Sequence, residues 1–205
     1  MIVDFQSLSP KEIYSIMIQC IVPRPIAWIL SDSGGGRFNL APFSYFNGVT
    51  SRPPLISVSI GKKSREVKKD TWLNIEERDW FVVHVPPARM ASPVSLSAAS
   101  LPHDQSELDG LDLHLVEEEG WPLPRIEEIG VALLCKRYQI IEVGEGPQGL
   151  VLGEVQSVYV DSNLIEQSAK NNAIKLSLDR FQPLARLGGD EYAGLNASFT
   201  VERPD

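Results

Sequence analysis

"NLAPFSYFNGVTSRPPLISVSIG", Asn39 to Gly61, decides the fold. Its second half is plain: Leu55-Ile56-Ser57-Val58-Ser59-Ile60 alternates large apolar with small polar residues at period two, a half-buried strand stopped by Gly61. The first half fits neither a helix nor an ordinary strand. Phe43, Tyr45 and Phe46 stand among Asn39, Ser44, Asn47, Thr50 and Ser51, and Pro42 and Gly48 break any clean ladder. A strand so bent and aromatic suits a flat aromatic ligand, with an apolar slot for its faces and main chain and small polar groups for its edges. Core packing accounts for Phe43 and Phe46. It accounts less well for Asn39, Ser44 and Asn47, which need partners if buried.

On the N-terminal side, Ser9-Pro10-Lys11-Glu12 reads as a capping box with Pro at the first helical position, so a short packing helix runs to about Cys20. "IVPRPIAWILS" predicts a strand centred on Ile26 to Leu30, and the "DSGGGRF" turn makes it a hairpin with the opening stretch. On the C-terminal side, Asp70 and Thr71 are placed to cap a helix that turns Trp72, Leu73 and Ile75 inward. "WFVVHVP", "VALLCKRYQIIEV" and "LVLGEVQSVYV" read as strands, and "ASFTVE" as a last one; Ala88 to Asp112 reads as a short helix and a surface loop. The sum is a mainly β protein, a β-barrel with attached helices, because so many strands would otherwise leave open edges.

The 205 residues suit one domain over 1–205, and fifteen prolines and fifteen glycines favour short strands and turns over a helix bundle. A net charge of −8 argues against a nucleic-acid or anionic-membrane binder, so an anionic ligand must meet a local basic cluster. The opening "MIVDFQSL" lacks the basic start and apolar run of a secretory signal, and no apolar run is long enough to span a bilayer. The expectation is a cytoplasmic protein whose Cys20 and Cys135 stay reduced.

"GEGPQG", Gly144 to Gly149, matches a dinucleotide fingerprint to the letter, but β-type sequence follows it where that fingerprint needs a helix; it reads as a hairpin turn. His84, His103 and His114 with two distant cysteines show no zinc spacing, and no G-x-S-x-G elbow is present. The basic cluster is the stronger signal. Lys62, Lys63, Arg65, Lys68 and Lys69 put five of the 19 basic residues between a strand end and a helix start, a place suited to a phosphate. A solvated charged loop explains the cluster alone about equally well.

"PRPIAWILS", "NLAPFSYFNGVTSRPPLISVSIG", "KDTWLNIEERDWFVVHVP" and "PLARLGGDEYAGL" together resemble, in order and spacing, the flavin reductase-like FMN-binding split-barrel family, in particular its flavoredoxin-like branch. The resemblance is close from about Ile21 to Pro86 and from Pro183 to Leu195. It implies a Greek-key split barrel, a homodimer with flavin near the subunit interface, and FMN as cofactor. Carried onto this sequence, Asn39, Leu40, Ala41, Pro42, Phe43 and Ser44 would line the isoalloxazine and ribityl chain. Ser59, Ile60 and Gly61 would serve the ribityl-phosphate end, and Arg65, Lys69 and Thr71, oriented by Asp70, would hold the phosphate. Arg24 and Ala27 fall beside the ring, and Tyr192 and Arg186 near the flavin across the dimer. A structural salt bridge for Arg24 and interface packing for Tyr192 stay open. His84 stands where relatives often carry Asn.

The activity implied is hydride transfer from NADH or NADPH to the flavin, then onward to free flavin, oxygen, iron or a partner oxygenase. No side chain need act as acid or base, so no catalytic residue is assigned. Two rival readings are an electron-transfer FMN protein reduced by a partner protein, and a non-enzymatic binder of another phosphorylated ligand.

Overall fold

The computed structural model describes the chain except residues 65, 103–104, 146–147, 167–173, 196 and 203–205. The capping box forms as the sequence reads it: Ser9 Oγ accepts from the Glu12 N–H and the Glu12 carboxylate accepts from the Ser9 N–H, which starts α1 at Pro10–Cys20. The hairpin that follows joins β1 (Ala27–Gly34) to β2 (Arg37–Phe43) through Gly34, Gly35 and Gly36, all at positive φ, where only glycine is unstrained.

The puzzling stretch resolves as one long strand broken in the middle. After Phe43 the chain leaves the ladder for Ser44 and Tyr45, then resumes as β3 (Phe46–Ser51), which turns back as β4 (Pro54–Ile60). Then come β5 (Trp80–His84), β6 (Val131–Val143) and β7 (Gln148–Val160). All seven pair antiparallel in the order β2-β1-β5-β6-β7-β4-β3. The two outer strands of that order, β2 and β3, are consecutive in the chain. The bend at Ser44–Tyr45 therefore closes the sheet on itself: β2 pairs with β1, β3 with β4, and the Ser59 N–H reaches across to the Tyr45 carbonyl at 2.9 Å. Pro42 is tolerated because β2 has only one ladder partner.

Two cores follow from the alternation along the strands. Ala27, Ile29, Val58, Ile60, Phe81 and Val83 fill the barrel, and α2 (Asp70–Arg78) plugs it with Trp72 and Ile75. Trp28, Leu30, Val82 and Leu134 point the other way and are covered by the excursion between β5 and β6, including Val94 on α3 (Ala91–Leu96) and Ile126. Two glycines of β7 are fixed by the barrel filling. A Cβ at Gly153 would lie 2.5 Å from Cζ of Phe81, and one at Gly149 2.8 Å from the Trp72 ring. Gly153→Ala is expected to cost about 1–3 kcal/mol by overpacking, read from the urea midpoint; a variant as stable as the parent would mean that Phe81 has room to move.

Three expectations need correction. The cap of α2 is Lys69, with no side-chain cap bond, and Asp70 is already inside the helix. Asn74 turns inward where Leu73 was expected, because its amide donates to Ser31 and Ser33 Oγ on β1 at 3.0 and 3.1 Å. Among the described residues of "ASFTVE" no strand forms; Phe199 and Val201 are exposed. The last strands are instead Leu184–Arg186 and Tyr192–Gly194, which make a three-stranded sheet with Arg24–Pro25.

Candidate functional site

Three clefts meet at Pro42. The first, of about 440 Å³, lies between β2, the start of α2 and the segment after α3, and is lined by Asn39, Ala41, Lys63, Lys69, Asp70, Thr71 and Glu107. The second, about 780 Å³, opens between α1, α3 and the Leu184–Gly194 hairpin, over Tyr14, Phe43, Ser44, Arg186 and Tyr192. The third, about 890 Å³, runs along the bend past Tyr14, Phe43, Ser44 and Tyr45 to Ser59, Gly61 and Lys69. Those figures include space open to solvent; the room left for the centre of a water-sized sphere is about 60, 330 and 400 Å³, so the second and third clefts fall within the roughly 300–1,000 Å³ of small-molecule sites and the first is a narrow slot beside them.

The candidate residues thus converge, with exceptions that the strand period explains. Leu40 and Ile60 are fully buried in the two cores, and Ala27 sits in the barrel opposite Phe43; only their main chain is near the groove. The Leu40 N–H donates to Glu107 Oε2 at 3.1 Å. Arg24 is buried and works as a clamp: Nη1 donates to the Ile18 and Ile21 carbonyls at 2.7 and 2.6 Å, Nη2 to the Leu187 carbonyl at 2.7 Å, and Nε to Ser44 Oγ at 3.3 Å. One guanidinium so ties the end of α1 and the C-terminal hairpin to the bend. Arg65 lies outside the described residues.

The basic cluster sorts itself by partner. Lys62 and Lys68 lie over the Trp72 ring and face Glu142, with Lys68 also 2.7 Å from Glu76. Lys63 pairs with Asp70 at 2.5 Å and donates to the Leu101 carbonyl. The Lys69 ammonium makes no hydrogen bond or ion pair among the described residues and lies 5.6 Å from the Phe43 ring centroid. Burial, and next the repulsion of Lys63, push its pKa down. A half-buried cation without a counter-ion among the described residues, beside the uncapped first turn of α2, is a seat for an anion. Thr71 Oγ1 accepts from Asn39 Nδ2 at 2.8 Å, so its own proton is free to donate.

The bend supplies further unused donors. The Ser44 and Tyr45 N–H groups have no partner among the described residues, and neither does the buried Tyr45 hydroxyl. Unpaired donors around an aromatic slot fit a flavin, whose ring edge and phosphate both accept hydrogen bonds. Sequence reasoning missed Glu107 and the Ser97–Leu101 wall, because that excursion has no period to read. Burial, foremost, raises the Glu107 pKa, and the Leu40 N–H pulls it back.

His84 is nowhere near these clefts. Fully buried, it accepts from the Ile126 N–H at Nε2, 2.9 Å, and faces the Trp28 carbonyl through Nδ1 at 3.1 Å, which fixes the neutral tautomer with the proton on Nδ1. It is a strut between barrel and excursion. Burial, chiefly, pushes its pKa down to about 4, with Arg125 adding to the effect and the Trp28 carbonyl opposing it. Because the unfolded chain takes up this proton first as pH falls, stability is full above about pH 6.5 and declines down to about pH 4, by at most about 3 kcal/mol. His84→Asn should flatten that decline in urea titrations at pH 7.5 and 4.5; equal slopes in both proteins would refute the assignment.

A match to the flavin reductase like domain covers residues 19–178. The chain belongs to this family. Among solved structures, it is similar to nitrilotriacetate monooxygenase component B from Bacillus cereus, at 30% identity and a TM-score of 0.89 over 98% of each chain. It is also similar to the Pseudomonas fluorescens 2-nitrobenzoate 2-nitroreductase NbaA, at 29% identity and 0.87, over 100% of this chain and 96% of that one. A Shewanella frigidimarina protein with a split barrel domain matches at 0.83 over 98% and 96%; at 17% identity it shows the fold alone. The barrel closed by the bend at Ser44 is the split barrel of the flavin reductase-like family. Membership sets the chain among flavin-linked oxidoreductases. Among the described residues no helix is long and apolar enough to cross a membrane.

Proposed function

We propose that this family member holds FMN in the groove around Pro42 and works as an NAD(P)H-dependent flavin reductase-type oxidoreductase. The observation that carries the reading is the set of donors around one aromatic bend that no described residue uses: the Ser44 and Tyr45 N–H groups, the Tyr45 hydroxyl and the Lys69 ammonium. Lys69, Thr71 and the first turn of α2 would hold the phosphate, with Asp70 keeping Lys63 in place. Asn39, Ala41 to Ser44, Ser59 and Gly61 would line the ring and ribityl chain, with Arg24 positioning Ser44 and Tyr192 forming the far wall. Bound FMN supplies the hydride and electron transfer, and the chain supplies orientation, donors and a wall against water.

The reading extends to a homodimer, supported by exposed apolar Tyr14, Met17, Ile21 and Val22 beside the bend. It also extends to a cytoplasmic setting, supported by the free Cys20 and Cys135. A partner oxygenase is one acceptor class, suggested by the likeness to a monooxygenase component. The test is a visible absorption spectrum before and after FMN loading and desalting, followed by anaerobic addition of NADH or NADPH. Retained, perturbed flavin bands that bleach at a catalytic rate are expected. A protein that shows no saturable FMN affinity in equilibrium titration would end the reading, and retained flavin that neither nucleotide bleaches would favour electron transfer from a partner protein.

A further inference from the structure

The second cleft adjoins the proposed flavin at Phe43, Ser44 and Tyr192, and it holds one charged group that flavin binding leaves unused. Its walls are the rings of Tyr14, Phe43 and Tyr192 with Ile26 and Val94, and its single cation among the described residues is Arg186. The guanidinium is stacked on Tyr192, 4.4 Å from the ring centroid, and donates one N–H to the Gly189 carbonyl. That leaves a planar fork of donors, held flat by the ring and the turn. Its only acidic neighbour among the described residues is Asp190, at 3.8 Å and wholly exposed, a pair worth little in solvent. The cleft shares Tyr14, Pro42, Phe43 and Ser44 with the third one, so whatever fills it lies against the ligand at the bend.

We propose that this cleft takes a small aromatic carboxylate, its ring between Tyr14, Phe43 and Tyr192 and its carboxylate on the Arg186 fork. The inference rests on the flavin reading only in making this occupant the flavin's neighbour. A monoanion with a planar head suits the fork better than a phosphate. Among the described residues the cleft has no second cation and no uncapped helix N-terminus of useful length, and Asp190 stands at its edge, whereas Lys69 is the proposed phosphate seat elsewhere. Rings stacked on ring walls supply the remaining affinity.

The test uses ligand-observed NMR titrations of the full chain, without and with FMN, with benzoate and its neutral isostere benzamide as probes. Benzoate is expected to bind at least ~10-fold more tightly than benzamide, since a charge-assisted pair separates them. In Arg186→Met the preference should fall to within about twofold, and in Arg186→Lys, which keeps the charge but not the fork, it should be intermediate. Equal binding of the two probes to the parent protein overturns the proposal without recourse to any variant. So does an undiminished preference in a folded Arg186→Met protein. Displacement of benzoate by an equal concentration of inorganic phosphate also overturns it, and marks the fork as a seat for a nucleotide's phosphate. Failure of FMN to bind would sink the flavin reading while leaving the benzoate comparison intact, so the two failures are separable.

Discussion

Lys69→Met is expected to weaken FMN binding by about 10- to 100-fold, the loss of one charge-assisted contact of about 1.5–3 kcal/mol. The same change should leave the ligand-free protein as stable as before or slightly more so. These opposite signs follow from one fact: Lys69 is half-buried, its charge unpaired among the described residues and its pKa depressed, so the empty protein bears a desolvated cation that an anionic ligand would relieve. Lys68→Met, which removes a surface partner of Glu76 on the far side of Trp72, should change affinity by less than about threefold. Fluorescence titration of FMN against the three proteins decides the matter. Equal affinities for the Lys69 variant and the parent would move the phosphate seat elsewhere.

The largest loss of stability is expected from Arg24→Met. The guanidinium satisfies the Ile18, Ile21 and Leu187 carbonyls and reaches Ser44, so its removal strands part-buried acceptors on three segments at once. A cost of about 3 kcal/mol or more follows, or a fall in Tm of about 6–12 °C for a chain of this length. The damage should be local as well as global. Tyr14 on α1 and Arg186 beyond Leu187 wall the second cleft from both sides, and limited proteolysis should cut near Cys20 well before the barrel melts. A melting temperature within 2 °C of the parent would show that water replaces the guanidinium at little cost.

Much of this was legible in the sequence. Period-two alternation located β4, the capping box started α1 within a residue, and the glycine run placed the first turn. The resemblance tied Asn39–Ser44, Ser59–Gly61 and Lys69–Thr71 into one expected site; the barrel sets all of these but the side chains of Leu40 and Ile60 along adjoining clefts that meet at Pro42. What could not be read depends on partners far along the chain. Asn74 turns inward only because Ser31 and Ser33 lie opposite, and Glu107 reaches Leu40 across 67 positions from an aperiodic loop. The roles within the lysine cluster were hidden for the same reason, since Glu142, Glu76 and Asp70 choose which ammonium is left over.

The bend at Ser44–Tyr45 is both the seam of the barrel and the floor of the groove. Opening it would part β2 from β3 and uncover two strands that each have only one ladder partner, the kind of edge that invites pairing between molecules. A ligand seated across the bend therefore acts as a rivet, slowing the first breach of the sheet as well as shifting its equilibrium. On the proposed reading, in a cell short of riboflavin the molecules left without FMN would breach sooner and fall first to proteases, so the abundance of this protein would follow flavin supply.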